Sequence, residues 1–201
     1  MRVAVMASGR GSNFQAIIDS ADRGEIPHVA IEHLIVNNNK AYAIDIAKKH
    51  NINYTIIESK GKNRKDFDDE ALKLLKAQKI EIIVLAGFMR ILTPVFINTY
   101  KNKIINIHPS LLPSFPGAHA QRDAILHGAK ISGCTAHLVD EGIDSGPIIM
   151  QDCVNINETD TEKSLARKIL TLEHELFPKA IELLCSNKIE LNGRNIIIKP
   201  D

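Results

Sequence analysis

Arg2-Val-Ala-Val-Met-Ala-Ser-Gly-Arg-Gly-Ser-Asn-Phe14 is the stretch that decides the fold. Arg2 to Ser8 is a short apolar run rich in β-formers, and Gly9 to Asn13 is a glycine turn. From Phe14 onward, apolar residues recur at Phe14, Ile17, Ile18 and Ala21, the spacing of one helix face. The reading is strand, tight loop, helix.

Working outward, the same alternation repeats. Val29–Val36 is a second strand ending at Asn37-Asn38-Asn39, followed by a helix around Ala41–His50. Tyr54–Ile57 is a third strand and Asp66–Gln78 a third helix, anchored by Phe67, Leu72, Leu74 and Leu75. Ile82–Ala86 is apolar throughout, as a strand covered on both faces should be. Strands alternating with helices predict a parallel sheet with right-handed crossovers, an α/β, doubly wound, Rossmann-like architecture. The next strand, Lys103–Ile107, stops at His108-Pro109, and a Pro- and Gly-rich loop (Ser110–Ala118) leads to a helix at Gln121–His127. Ile131–Val139 and Pro147–Ile156 read as strands flanking Asp140-Glu-Gly-Ile-Asp-Ser-Gly146, which gives the C-terminal half a mixed character. A long helix is expected from Thr161 to about Cys185, capped by Asp160 or Thr161. Asn192-Gly193 then signals a hairpin between Ile189–Leu191 and Ile196–Ile198. With no linker or repeat, residues 1–201 are expected to form one domain.

Composition narrows the function classes. With 25 basic and 24 acidic residues the net charge is +1, so no global field favours nucleic acid or an anionic membrane. Aromatic content of 4% without Trp argues against a base-stacking platform. No run approaches the ~18 apolar residues of a membrane span, and Val3–Ala7 is too short for a signal segment, so a cytoplasmic protein is expected. Cys134, Cys153 and Cys185 are odd in number and widely spaced, which suggests small buried thiols instead of disulfides or a zinc site. His119, His127 and His137 show no metal-ligand spacing, and no metal is expected.

Between a strand and a helix, Gly9-Arg-Gly-Ser-Asn13 presents backbone N–H groups and a helix dipole to an anion. The third glycine of a dinucleotide loop is replaced by Phe14, the second strand ends in asparagines instead of a ribose-binding acid, and the P-loop Lys is missing. The loop suits a phosphate monoester; alternatively it is a tight turn with Ser12 as N-cap. Farther on, alternation places Asn106 and His108 on one face at the carboxyl end of their strand, where α/β sheets hold ligands. An Asn amide and an imidazolium together can stabilise a developing oxyanion. One carboxylate of the Asp140–Ser145 loop is placed to pair with His108 and favour its charged form. Gly142 and Gly146 bracket that loop and would permit ligand-induced ordering. No nucleophile elbow and no Cys near a His is present, which points to direct transfer without a covalent enzyme intermediate.

Four ordered motifs resemble one family: Met6–Asn13, Leu85-Ala-Gly-Phe-Met-Arg90, Asn106-Ile-His-Pro-Ser-Leu-Leu-Pro113, and Gly133–Pro147 with H-x-V-D-x-G-x-D-x-G-P. They are similar to the phosphoribosylglycinamide formyltransferases, folate-dependent enzymes of purine synthesis, across essentially the whole chain. The resemblance implies transfer of formyl from 10-formyltetrahydrofolate, as cosubstrate, to the amine of glycinamide ribonucleotide. It implies Gly11, Ser12 and Asn13 at the substrate phosphate, Asn106, His108 and Asp144 as the catalytic group, and Glu173 near the substrate amine. Met89, Arg90, Ile91, Leu92, His137 and Asp140 would wall the folate site, with Arg64 available for the anionic folate tail. Residues about 1–100 would carry the phosphate and about 101–201 the catalytic and folate functions, in a monomer or homodimer. Leu170 departs from the family, where a polar side chain is expected one turn before Glu173.

Three rivals are separable on the sequence. Methionyl-tRNA formyltransferases share the S-L-L-P segment and the Asn, His and Asp set but carry a C-terminal tRNA-binding domain, whereas this sequence ends at Asp201 without a basic extension. Formyltetrahydrofolate deformylases carry an added N-terminal domain, whereas strand one begins here at Arg2. A non-catalytic nucleotide-binding module would not need Asn106, His108 and Asp144 together.

Overall fold

The computed structural model describes residues 1–199. In chain order the elements are β1 (Arg2–Ala7), α1 (Ser12–Asp22), β2 (Ala30–Val36), α2 (Ala43–Lys49), β3 (Asn53–Ile56), α3 (Arg64–Ala77), β4 (Ile82–Leu85) and α4 (Pro94–Thr99). They continue with β5 (Ile104–His108), α5 (Ala120–Leu126), β6 (Ile131–Leu138), β7 (Ile148–Asn155), α6 (Glu162–Cys185), β8 (Ile189–Asn192) and β9 (Asn195–Ile198). A seven-stranded sheet runs in the order β3-β2-β1-β4-β5-β6-β7. Its strands are parallel from β3 through β5, and β6 and β7 are antiparallel. The doubly wound, mostly parallel sheet with a mixed C-terminal half is thus as expected. β8 and β9 pair separately as the hairpin turning at Asn192-Gly193.

Alternation along the strands builds a core on each face. Val3, Val5 and Ala7 of β1, Leu34 and Val36 of β2, Ile82 and Val84 of β4, and Ile105 and Ile107 of β5 point to one side. There they meet Phe14 and Ile17 of α1, Ile44 of α2, Ala124 of α5, and Leu165, Ile169 and Phe177 of α6. Ala4, Met6, Ile35, Ile83, Leu85 and Ile104 point to the other side, against Phe67, Leu72 and Leu75 of α3 and Phe96 of α4. Phe14 and Phe67 are fully buried, each contributing about 1.5–3 kcal/mol relative to an exposed ring. On β5 and β6 the second face changes character. Asn106, His108, Thr135 and His137 stand where apolar residues would continue the core, and α3 and α4 do not cover them.

Several local expectations are corrected. Gly11, at φ 73°, is the N-cap of α1, so Ser12 is the first helical residue instead of the cap. α4 is too short, at six residues, to carry a periodic signal in the sequence, although Thr93-Pro94 has the start signature. The Thr93 hydroxyl accepts the Phe96 N–H at 3.3 Å, with Pro94 in the first turn. Of the two candidate caps of the long helix, Thr161 fills the role, in a reciprocal capping box with Ser164. Cys134 and Cys185 are buried, and burial pushes both thiols up to about 12. Cys153 is exposed, because β7 is an edge strand and its residue 153 faces outward.

Candidate active site

The order β1-β4-β5 brings the ends of these strands side by side at the point where the chain reverses its direction of winding, which is where such sheets hold ligands. A cavity of about 460 Å³ opens there, lined by Leu85, Phe88, Met89, Arg90, Ile91, Leu92 and Ile97 on one wall. Asn106, His108 and His137 line it too, opposite the 139–144 loop, together with Gly117.

Four polar side chains interlock on its floor. His108 is 4% exposed, and its Nε2–H donates to the Phe115 carbonyl at 2.9 Å. A carbonyl only accepts, so Nε2 carries a proton and Nδ1 is the atom that faces Asp144 Oδ2, at 3.3 Å. That same oxygen accepts the Gly117 N–H at 2.8 Å. Asp144 sits at φ 49°, a left-handed conformation that Asp and Asn tolerate better than most residues. His137 donates from Nδ1 to the Leu138 carbonyl at 2.9 Å, which leaves its Nε2 lone pair to accept the Asn106 Nδ2–H at 3.1 Å. Burial lowers the His137 pKa and keeps the ring neutral, the form this bond requires. The 3.7 Å approach of His137 Nε2 to Asp144 Oδ1 is therefore not an ion pair.

The His108–Ala118 loop is held by a buried network. Thr135 Oγ1 donates to the Ser110 carbonyl (2.7 Å) and accepts from the Leu112 N–H (3.1 Å) and Gln151 Nε2 (2.9 Å). Ser110 Oγ donates to the Ser114 carbonyl at 2.6 Å and approaches the Phe115 carbonyl at 3.3 Å, next to the atom that orients His108. The Leu112–Pro113 peptide within this loop is cis.

The glycine loop lies beside the cavity. A Cβ on Gly11 would stand 2.8 Å from Ala43 Cβ, so only glycine allows α1 and α2 to approach this closely. The first N–H groups of α1 have no partner within the helix and remain available to an anion. Asn13 is turned inward, donating from Nδ2 to Glu173 Oε2 of α6 at 2.7 Å, and its buried Oδ1 has no protein partner. Glu173 is buried, and that burial raises its carboxyl pKa against the opposing effect of Asn13.

The structure therefore gathers Asn106, His108, His137 and Asp144 with Met89, Arg90, Ile91, Leu92 and Asp140 around one cavity, and joins Asn13 to Glu173 beside it. Arg64 does not line the cavity; it is the exposed first residue of α3. Arg90 does line it, with its guanidinium 4.5 Å from the Phe67 ring centre and hydrogen-bonded to the carbonyl of neighbouring Asn63 at 3.4 Å. Asp140 is occupied by its own loop, accepting from Gly142 N–H (3.1 Å) and Ser145 Oγ (2.6 Å). Gly142 and Gly146 serve close approach: a Cβ would stand 2.0 Å from Ser145 Oγ and 1.8 Å from the Leu138 carbonyl, respectively. Sequence reasoning missed Gly117, Phe115, Thr135 and Gln151, which orient the catalytic candidates through backbone atoms and network bonds that residue type does not reveal. Among the described residues there is no cluster of metal-ligating side chains, and no helix is long and apolar enough to cross a membrane.

Fold and site together define an α/β protein that gathers two histidines, an asparagine and an aspartate at the carboxyl edge of its sheet. The chain belongs to the formyl transferase family, whose model matches residues 1–181. It is 47% identical, over 96% of its length, to the trifunctional purine biosynthetic protein adenosine-3 of Chironomus tentans. It spans only 14–20% of the length of the curated relatives it matches. Among solved structures, glycinamide ribonucleotide transformylase 1 from Symbiobacterium toebii aligns with a TM-score of 0.96 at 38% identity, covering 100% of this chain and 94% of that one. A formyltetrahydrofolate deformylase from Pseudomonas syringae aligns at 0.93 with 27% identity, covering 99% of this chain and 66% of that one.

Proposed function

We propose that this chain transfers the formyl group of 10-formyltetrahydrofolate to the amine of glycinamide ribonucleotide, yielding formylglycinamide ribonucleotide and tetrahydrofolate in purine synthesis. The observation that carries this reading is the Asn106–His108–Asp144 group on the lining of a largely apolar cavity whose wall at Met89 is bonded to Ser8, the residue before the glycine loop, giving two compartments for two substrates. A flat heteroaromatic donor fits the slot between Phe88–Leu92 and the 139–144 loop, with Arg90 for a carboxylate tail and Arg64 beyond it. A phosphate monoester fits the α1 N-terminus at Gly11, Ser12 and Asn13, and the buried Glu173 carboxylate suits the polar body of the ribonucleotide. Thus the donor wall is drawn from both halves of a single domain.

In this mechanism the substrate amine attacks the formyl carbon, forming a C–N bond while the carbonyl electron pair moves to oxygen. Asn106, its amide held by neutral His137, and protonated His108 stabilise that oxyanion. Collapse expels the folate nitrogen, which receives the proton that the attacking amine gives up, relayed through Asp144 and His108. No covalent enzyme intermediate is needed. A cytoplasmic setting accords with this chemistry.

The deformylase likeness makes hydrolysis, with water as acceptor, the second reading. A spectrophotometric assay with 10-formyltetrahydrofolate separates the two. Transfer requires the ribonucleotide and disappears in His108→Ala, whereas acceptor-independent folate cleavage would establish the hydrolase.

A further inference from the structure

Between the glycine loop and the folate wall stands one residue with bonds to both sides. Ser8 closes β1 and immediately precedes Gly9. Its N–H donates to the Gly87 carbonyl at 3.1 Å, and its hydroxyl oxygen accepts the Met89 N–H at 2.8 Å. Its carbonyl accepts Asn38 Nδ2 at 2.7 Å, from the loop after β2. A single residue thus ties the ends of β1, β2 and β4 together.

The wall segment needs such a tie. Phe88 and Leu92 are buried, but between them Met89 is 74% exposed and Ile91 49% exposed. Packing holds the segment at its ends; between them the Arg90 side chain rests on Phe67 and bonds the Asn63 carbonyl, and the backbone itself is bonded by the Ser8 hydroxyl at the Met89 N–H. On the other side, Gly9 and Gly11 continue directly from Ser8 into the loop whose carbonyls cap α1 and α2, through Gln15 N–H to Gly11 and Ala43 N–H to Gly9.

We propose that Ser8 is a positioning residue that sets the register of the donor wall against the acceptor loop. The proposal rests on the formyl-transfer reading above. The amine and the formyl carbon are delivered by different loops, so their approach depends on how those loops are spaced. A misplacement of about 1 Å costs on the order of 10²-fold in rate without loss of binding.

The test compares Ser8→Thr with Ser8→Val, nearly isosteric variants of which only the first keeps the hydroxyl, alongside Ser8→Ala. Calorimetry gives the binary dissociation constants for glycinamide ribonucleotide and for tetrahydrofolate, single-turnover mixing gives the transfer rate, and melting curves report folding. Ser8→Val and Ser8→Ala are expected to keep both dissociation constants and lose transfer rate on the order of 10²-fold, with Ser8→Thr restoring most of it. An unchanged rate in Ser8→Val, or a rate that falls only in step with ligand binding, would overturn the proposal while leaving the functional reading intact. A wild-type protein that binds neither ligand and transfers nothing would overturn both.

Discussion

Asp144 Oδ2 lies 3.3 Å from His108 Nδ1 and also accepts the Gly117 N–H, so one carboxylate oxygen joins the 139–144 loop to the loop after β5. With Phe115 accepting from the other ring nitrogen, both nitrogens of His108 face oxygen acceptors.

Asp144→Asn removes the charge and keeps the shape, including tolerance of the left-handed backbone at φ 49°. Its expected loss in turnover is about 10²- to 10⁴-fold, the range for a lost acid–base partner. Circular dichroism and the melting temperature should stay close to wild type; a variant that keeps full turnover would remove Asp144 from the mechanism.

His137→Phe takes away the acceptor of Asn106 Nδ2 and frees the amide to turn. The single-turnover rate at saturating substrates should fall by more than any loss in tetrahydrofolate affinity, because His137 also lines the donor cavity. His137, His33 and His174 are all held below the ordinary value of 6.5, with desolvation as the main cause. In the unfolded chain these rings take up protons near 6.5, and in the native protein only at lower pH. Their contribution to stability is therefore complete above about 6.5 and lost as pH falls through their native values. Denaturant midpoints at pH 7.5 and 5.5 check the sign: the lower pH should give the lower midpoint.

Glu173 shows the opposite linkage. Its raised pKa means that ionisation at neutral pH opposes folding, a penalty absent below about 4.5, the ordinary value, and growing as pH rises through the native one. Glu173→Gln keeps an acceptor for Asn13 and removes the charge. It should raise the melting temperature at pH 8, with no gain at pH 4, and should weaken ribonucleotide binding in the same preparation. A melting temperature that falls at pH 8 would show that the carboxylate is stabilising.

Leu170 lies one turn before Glu173 on the same helix face and is only half-buried. Leu170→Lys places a cation beside the glycine loop and should lower the KM for glycinamide ribonucleotide. The improvement should fade as salt rises, because the charge is exposed to solvent. A KM unchanged at low salt would place the phosphate elsewhere.

The outline of this protein was set by local sequence alone. β1, the glycine turn and α1 are legible in residues 2–21, because strand period, helix period and turn chemistry are all short-range properties. The repeated alternation up to Ile82–Ala86 supplied the parallel sheet for the same reason. Asn106 and His108 share a face by the two-residue period of β5, so their pairing also needed no tertiary information. The partner of His108 is not set by that period: Asp140, Glu141 and Asp144 all occupy one loop, the family motif marks the third, and the left-handed backbone at Asp144 with the N–H of Gly117 brings its carboxylate to the ring. Likewise, Asn13 meeting Glu173 and Asn106 meeting His137 depend on how α6 and β6 pack, contacts between segments remote in sequence. Arg64, expected at the anionic tail of the donor, stands exposed at the start of α3 outside the cavity lining, whereas Arg90 lines the cavity with its guanidinium over the ring of Phe67. Sequence periodicity settles which face of its own element a side chain occupies; which atoms it meets there is decided by the packing of distant segments.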